Sequence, residues 1–393
     1  MKMTNSLHLS FSFLPSRMKL SCTTSDFLQA LQVVSRAVGV QQALPILSNI
    51  LIHVEGKRCT LSATDLEIST ISSFEAQVEN EGSITIPAKA LLNFVQYNND
   101  GEILLETSEG TLLKCSSAHA KSTLSGEAAS EYPTITPVER SIAFSLDGVT
   151  LLEALSSVTF ASARTALRPV LAGVYLRYEQ GALVLVATDS YRLSEVRLPV
   201  EGVEGAISCI IPTKVLEELR TLLSAKRSAG ASKDGVKLEV ILSAQQVQFS
   251  VGSTHLLSRL IEGKFPDYRQ IIPKETGTMA TFKTSELTTA VRRMHYFAKE
   301  ANNSLTIKLT SAGAHIQTPQ TPFGRDEATL TSEVTGADVR IALSSSYLLD
   351  FLGHIGTDHV EMHVQDGVHP ATFRRPKDDR FLHLIMPLRL QEE

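Results

Sequence analysis

Little in this chain of 393 residues points to reaction chemistry. Its four cysteines, Cys22, Cys59, Cys115 and Cys209, are scattered and form no C-x-x-C pair. That argues against a disulfide framework and a cysteine zinc site, and for reduced thiols in a cytosol. No stretch approaches the roughly 20 apolar residues needed to cross a bilayer. There is no G-x-x-x-x-G-K-[ST] loop and no G-x-G-x-x-G, so a nucleotide finds no backbone cradle. No Cys–His or Ser–His pairing announces a nucleophile. Basic residues are not in excess either: 37 Lys and Arg stand against 42 Asp and Glu, a formal net charge of −5. A negative balance does not exclude nucleic acid, because a chain can be acidic outside and basic on one inner face.

What the chain does have is repetition. Pro45-Ile46-Leu47 is echoed by Pro169-Val170-Leu171, and Ala63-Thr64-Asp65 by Ala187-Thr188-Asp189, both 124 residues on. IPAKALLNFV from Ile86 returns as IPTKVLEELR from Ile211, and a fainter third copy sets Tyr347–Phe351 against Ala90–Phe94. A domain-sized period means one folding unit used several times, not a solenoid. At this length two or three domains are expected, and 43% hydrophobic residues let each bury its own core. Boundaries fall near Pro137 and Pro273, giving domains over 18–138, 139–273 and 274–393. Residues 1–17 read as an N-terminal extension outside the fold. Their apolar run is broken by His8, Ser10 and Ser12, no small-residue cleavage site follows, and MKLSC from Met18 opens a strand-like pattern.

Each repeat carries two helical patterns among many short strands. In the first, Ser25-Asp26 is expected to cap FLQALQVVSRAVG, and AKALLNFVQY follows Pro87. The second has GVTLLEALSSVTFA from Gly148 and TKVLEELRTLLSA from Thr213. The third has a helix from Thr284, capped by Ser285, and another from Ser344. Between them, segments such as Leu183–Val186 and Val247–Val251 alternate with period two or are rich in β-branched residues. KRSAGASKDG, Lys226 to Gly235, reads as a loop. The fold class is α+β: three similar domains, each with two helices and antiparallel sheet.

With these landmarks the chain resembles the bacterial DNA polymerase III β subunit, the sliding-clamp family, from about Met18 to Leu390. The resemblance rests on LPILSNILI from Leu44, ATDLE from Ala63, RPVLAGV from Arg168, ATDSYRL from Ala187, GKFPDYRQIIP from Gly263 and MPLRL from Met386. It implies a DNA-clamp architecture, closed as a ring by a head-to-tail homodimer around double-stranded DNA. The ring tethers the DNA polymerase III catalytic subunit and is opened by an ATP-driven clamp loader in the bacterial cytosol. It also implies no catalysis, no cofactor, no metal and no membrane. Geometry agrees with a dimer: twelve helices about 10 Å apart make a circle of about 38 Å. Less helix radii of about 5 Å a side, that leaves a bore of about 28 Å, wider than a duplex of roughly 20 Å.

Sliding calls for charge without base reading. Basic residues on the helices suit it: Arg36, Lys89, Lys214, Arg220, Arg292, Arg293 and Lys299, with Arg164 and Arg168 just past a helix. Gln41 stands where the family often has an arginine. The resemblance further implies a pocket for short linear peptides of other polymerases and repair proteins. Its matching positions are Leu171, Thr188, Ser190, Tyr191, Arg192, Leu193, Pro266, Gln270, Ile271, Leu384, Ile385, Met386, Pro387, Leu388 and Arg389. Met386 is adaptable, and Arg192 and Arg389 suit a peptide carbonyl or carboxylate. Ser190-Tyr191 replaces the common Gly-His, Gln270 an arginine and Leu388 a methionine. For ring closure we expect Leu124 on one side and Tyr296 and Phe297 on the other.

Two rival classes stand against this reading. The repeated Thr-Asp suggests catalytic carboxylates, but an Asp at a strand end more often bonds local backbone N–H groups. His359, Glu361 and His363 share a strand face, with Asp366 and His369 beyond, yet a polar strand face is the better account. The other rival, a repeat-built scaffold that never closes on DNA, differs in lacking head-to-tail assembly.

Overall fold

Six α-helices occur among the described residues: α1 Thr24–Val34, α2 Ala88–Gln96, α3 Gly148–Val158, α4 Thr213–Ser228, α5 Thr284–Ala298 and α6 Ser345–Leu352. The computed structural model describes residues 17–39, 44–108, 111–165, 167–228, 236–273 and 277–390. The helical patterns located every one of these helices and gave the first residue of α2, α3, α4 and α5, but two of the expected caps differ. Thr23, rather than Ser25-Asp26, caps α1: its Oγ1 accepts from the Asp26 N–H at 3.1 Å. Ser285 lies inside α5, whose cap Lys283 offers no side-chain bond. Ser344 does cap α6, accepting from Tyr347 N. Lys226–Ser228 belong to α4 instead of a loop, and the rest of that segment lies outside the described residues.

The chain divides into two compact units. The first joins Met1–Val149 to Glu218–Leu260, the second Thr150–Glu217 to Ile261–Glu393. In the first, a five-stranded antiparallel sheet runs, edge to edge, through Gln77–Asn80, Lys19–Thr23, Glu102–Thr107, Leu112–Ser116 and Lys121–Ser125. An eight-stranded sheet contains a seam where the strand Thr254–Arg259 pairs with Ile68–Glu75, Thr254 opposite Ser72 and Ser258 opposite Ile68. Its core packs α1 and α2 through Phe27, Leu31, Val34, Leu91 and Val95 onto Ile50, Ile52, Leu61 and Ile86.

The second unit repeats the device. A nine-stranded sheet has its seam where Arg192–Pro199 pairs with Asp378–Ile385, Arg192 opposite Ile385 and Val196 opposite Phe381. Ile68 and Arg192 are 124 residues apart, so the same strand of two repeats offers the same edge to the repeat that follows it. A four-stranded sheet runs Glu327–Leu330, Gly313–Gln317, Ser304–Thr310 and Val339–Ser344. No helix among the described residues is long and apolar enough to cross a membrane.

Candidate functional site

Both copies of Thr-Asp build the same turn. Thr64 Oγ1 donates to Ile68 O and accepts from Leu66 N, both at 3.0 Å, while Asp65 Oδ1 accepts from Glu67 N and Ile68 N. Thr188 Oγ1 likewise donates to Arg192 O at 2.6 Å and accepts from Ser190 N at 3.1 Å, and Asp189 Oδ1 takes Tyr191 N and Arg192 N. One oxygen of each carboxylate thus takes two backbone donors of its own turn, which is a structural task. The third residue of each turn is left-handed, Leu66 at φ 77° and Ser190 at φ 81°. That backbone suits glycine, the residue that the clamp resemblance implies at Ser190.

The second turn stands at the site. Leu171, Leu193 and Leu384 are buried with Val184, Val186, Ile210, Phe265 and Tyr268, and Met386 packs half-buried against them. Thr188 and Ile385 are buried too. Pro387 and Leu388 are half-buried, while Ser190, Tyr191, Pro266, Gln270, Ile271 and Arg389 are exposed. An apolar floor therefore carries a polar and aromatic rim. Met386 N donates to Tyr191 O and Leu388 N to Ala342 O, both at 2.8 Å, so the segment after the last strand is tied down at two points. Gln270 is turned to Asp267, its Nε2 2.8 Å from Oδ2.

Arg192 differs from the expectation of a free peptide ligand. Its guanidinium is buried, with Nε 3.0 Å from Asp189 Oδ2 and Nη1 2.7 Å from Asp350 Oδ2. It lies 4.7 Å from the Tyr347 ring centroid and 5.6 Å from that of Phe160. Sequence reading missed Tyr347 and Asp350, which fit an ordinary helical pattern on α6 and carry no signal of their own. Tyr347 stacks at 6.5 Å on Tyr191, whose side chain is 62% exposed. Arg168, expected to face DNA, points its Nη1 at Ser190 Oγ at 3.3 Å.

Beside this site His383 is fully buried, its Nδ1 2.7 Å from Ser194 Oγ, its ring stacked at 4.6 Å on Phe351 and near Phe160 and Phe373. Its Nε2 has no partner. Burial, with the nearby Arg192 and His354, holds the imidazole well below its ordinary range, so it is neutral when folded. The unfolded chain binds this proton near pH 6.5 and the folded chain does not, so stability falls as pH drops through that value. At pH 5.5 the loss is about 1.3 kcal/mol relative to neutral pH. Urea unfolding of the wild type and of His383→Phe at both pH values measures it as the difference in their pH dependence. Parallel curves would refute the assignment.

The other expected residues are dispersed over helices. Lys89, Arg164, Lys214, Arg292 and Lys299 are exposed and Arg220 is half-buried. Arg36 approaches Glu218 at 3.4 Å. Arg293 makes a fork onto Asp326, at 2.7 and 3.0 Å. Gln41 lies outside the described residues. Leu124 is half-buried in Lys121–Ser125, an edge strand, and leans on the core of its own sheet. Tyr296 and Phe297 meet edge to face at 5.3 Å, and Phe323, not anticipated, joins them at 6.4 Å from Tyr296.

Among the described residues the groups that could do chemistry are buried or apart. Burial pushes the thiols of Cys22, Cys115 and Cys209 up to about 12, far from the nucleophilic range. His359, Glu361 and His363 do share a strand face, and His363 Nε2 is 3.8 Å from Glu361. Among the described residues no three such side chains converge on a metal position.

Repeated α+β domains joined by antiparallel strand pairing define a DNA-clamp architecture. Family models of the DNA polymerase III beta subunit match in order: the N-terminal domain over 18–136, the central domain over 145–267 and the C-terminal domain over 269–389. The chain belongs to this family, the beta sliding clamps. A curated relative of that name from Synechocystis sp. is 30% identical over 395 residues, covering 95% of this chain and 100% of the relative. Another from Pseudomonas aeruginosa is 30% identical over 366 residues, covering 92% and 97%. The Bacillus subtilis DNA polymerase sliding clamp superposes with a TM-score of 0.89 at 24% identity, covering 96% of this chain and 100% of that one, a likeness of fold. The Bartonella birtlesii clamp, solved bound to griselimycin, gives 0.88 at 29% identity, covering 95% and 100%. The family function, that of a non-catalytic processivity factor of DNA replication, is the function of this chain.

Proposed function

We propose that the chain forms a head-to-tail homodimer that closes around double-stranded DNA in the bacterial cytosol. In this reading 18–138, 139–273 and 274–393 are its three clamp domains. The observation that carries the ring is the pair of open sheet edges. Each internal junction is made by pairing strands of successive repeats, Thr254–Arg259 with Ile68–Glu75 and Asp378–Ile385 with Arg192–Pro199. Lys121–Ser125 and Glu327–Leu330 are left as unpaired edges of the five- and four-stranded sheets. A free edge is a template for another chain, and pairing these two across a dimer makes the same junction once more.

The exposed basic residues of the helices then meet phosphates without reading bases. The pocket around Leu171, Tyr191 and Met386 receives linear motifs of the polymerase catalytic subunit, of the clamp loader and of other polymerases and repair proteins. A topological test is direct. Loaded by a clamp loader and ATP onto nicked circular DNA, the protein should co-elute with the plasmid and be lost when one restriction cut linearises it. Equal retention on circle and line would mean ordinary binding and would favour the open scaffold.

A further inference from the structure

We propose that Glu218 is a built-in competitor for DNA phosphate at Arg36, keeping the attraction of that arginine shallow enough for the clamp to move. The inference rests on the reading of Arg36 as a phosphate contact. Arg36 lies in the short 3-10 turn Ser35–Ala37 that follows α1, and Glu218 lies in the second turn of α4. One contact joins them, Nη1 to Oε2 at 3.4 Å, with the side chains 49% and 25% exposed. Such a pair is long, single and solvated, the weak kind of surface ion pair.

Its surroundings leave it free to part. Both residues line a cavity of about 470 Å³ between α1, α4 and the strands Ile68–Glu75 and Thr254–Arg259, so no packed side chain fixes the guanidinium against its partner. The lining carries three carboxylates, Asp26, Glu75 and Glu218, against two cations, Arg36 and Lys226, so its balance disfavours an anion inside the cavity. A phosphate therefore meets Arg36 when the side chain swings outward, and Glu218 takes the guanidinium back when the phosphate moves on. Arg293 shows the contrast. Its two-pronged hold on Asp326, with a third bond to Glu327 O at 3.3 Å, ties the guanidinium to the backbone and does not exchange so readily.

The test is a double-mutant cycle, read by fluorescence anisotropy of a short labelled duplex of mixed sequence against the full-length protein across a salt series. Glu218→Gln should bind the duplex about two- to fivefold tighter, the equivalent of one exposed ion pair. In an Arg36→Gln background the same change should do nothing. Arg36→Gln alone should flatten the dependence of log K on log salt by about 0.9. An equal gain from Glu218→Gln with and without Arg36 overturns the proposal, because Glu218 would then act only through bulk charge. No gain in either background overturns it as well. An unchanged salt slope in Arg36→Gln removes the phosphate contact itself, and the competitor with it.

Discussion

With Tyr296→Asp and Phe323→Asp together, the protein should sediment as a monomer of 42.8 kDa at micromolar concentration, where the proposed dimer of the wild type should sediment at twice that mass. The two rings are 65% and 62% exposed, a costly arrangement in water unless a partner covers them. With Phe297 they form a cluster at the end of α5. Arg293, also on α5, holds Asp326 and Glu327 O, so the helix bearing the aromatics is fastened to the edge strand Glu327–Leu330. Aromatic anchors at the centre of an interface cost about 2 kcal/mol or more each on truncation. Losing two weakens association on the order of a thousandfold, and the new carboxylates add desolvation to that loss. Because both side chains are largely in water, the fold should survive, and an unchanged circular dichroism spectrum and melting temperature check it. Leu124→Asp is a less clean probe, since Leu124 also leans on its own core. A double variant that still dimerises with wild-type affinity would show that this aromatic surface is not the interface.

Arg192→Ala should cost about 3–5 kcal/mol of stability, the range for breaking a buried ion pair from one side. The guanidinium is 4% exposed and serves two carboxylates from separate elements, Asp189 in the turn and Asp350 on α6. Removal leaves Asp189, mostly buried, without its counter-charge and opens a void beneath Tyr347 and Phe160. Asp350, about one-third exposed, re-enters water at small cost, which puts the expected loss toward the lower end. Arg192→Lys should fall between, since an ammonium keeps the charge but cannot fork onto both partners. Urea midpoints at neutral pH measure all three proteins. A loss below about 1 kcal/mol for Arg192→Ala would mean that the pair is effectively solvated. The consequence for function follows from position. Arg192 holds the turn carrying Ser190 and Tyr191 against α6, so its loss loosens the pocket rim while the leucine floor persists.

Local pattern accounts for a large part of this molecule. Helical periodicity placed all six helices, because burying one stripe of an amphipathic segment imposes a 3.6-residue period whatever the stripe packs on. The offset of 124 residues showed that one unit recurs, and the two Thr-Asp turns close on their own backbone within four residues. Family resemblance added the clamp architecture. Beyond reach were choices made across long separations. Arg36 meets Glu218 across 182 residues and Arg192 meets Asp350 across 158. Tyr347 and Phe323 gain their importance only from neighbours brought in by the fold. Even the cap of α1 went to Thr23 over Ser25, since geometry at the strand end, and not residue type, selects which hydroxyl faces the free N–H groups. Periodicity within a segment records which face is covered, whereas the identity of the cover depends on register between distant strands. Local sequence leaves that register open until the sheets assemble.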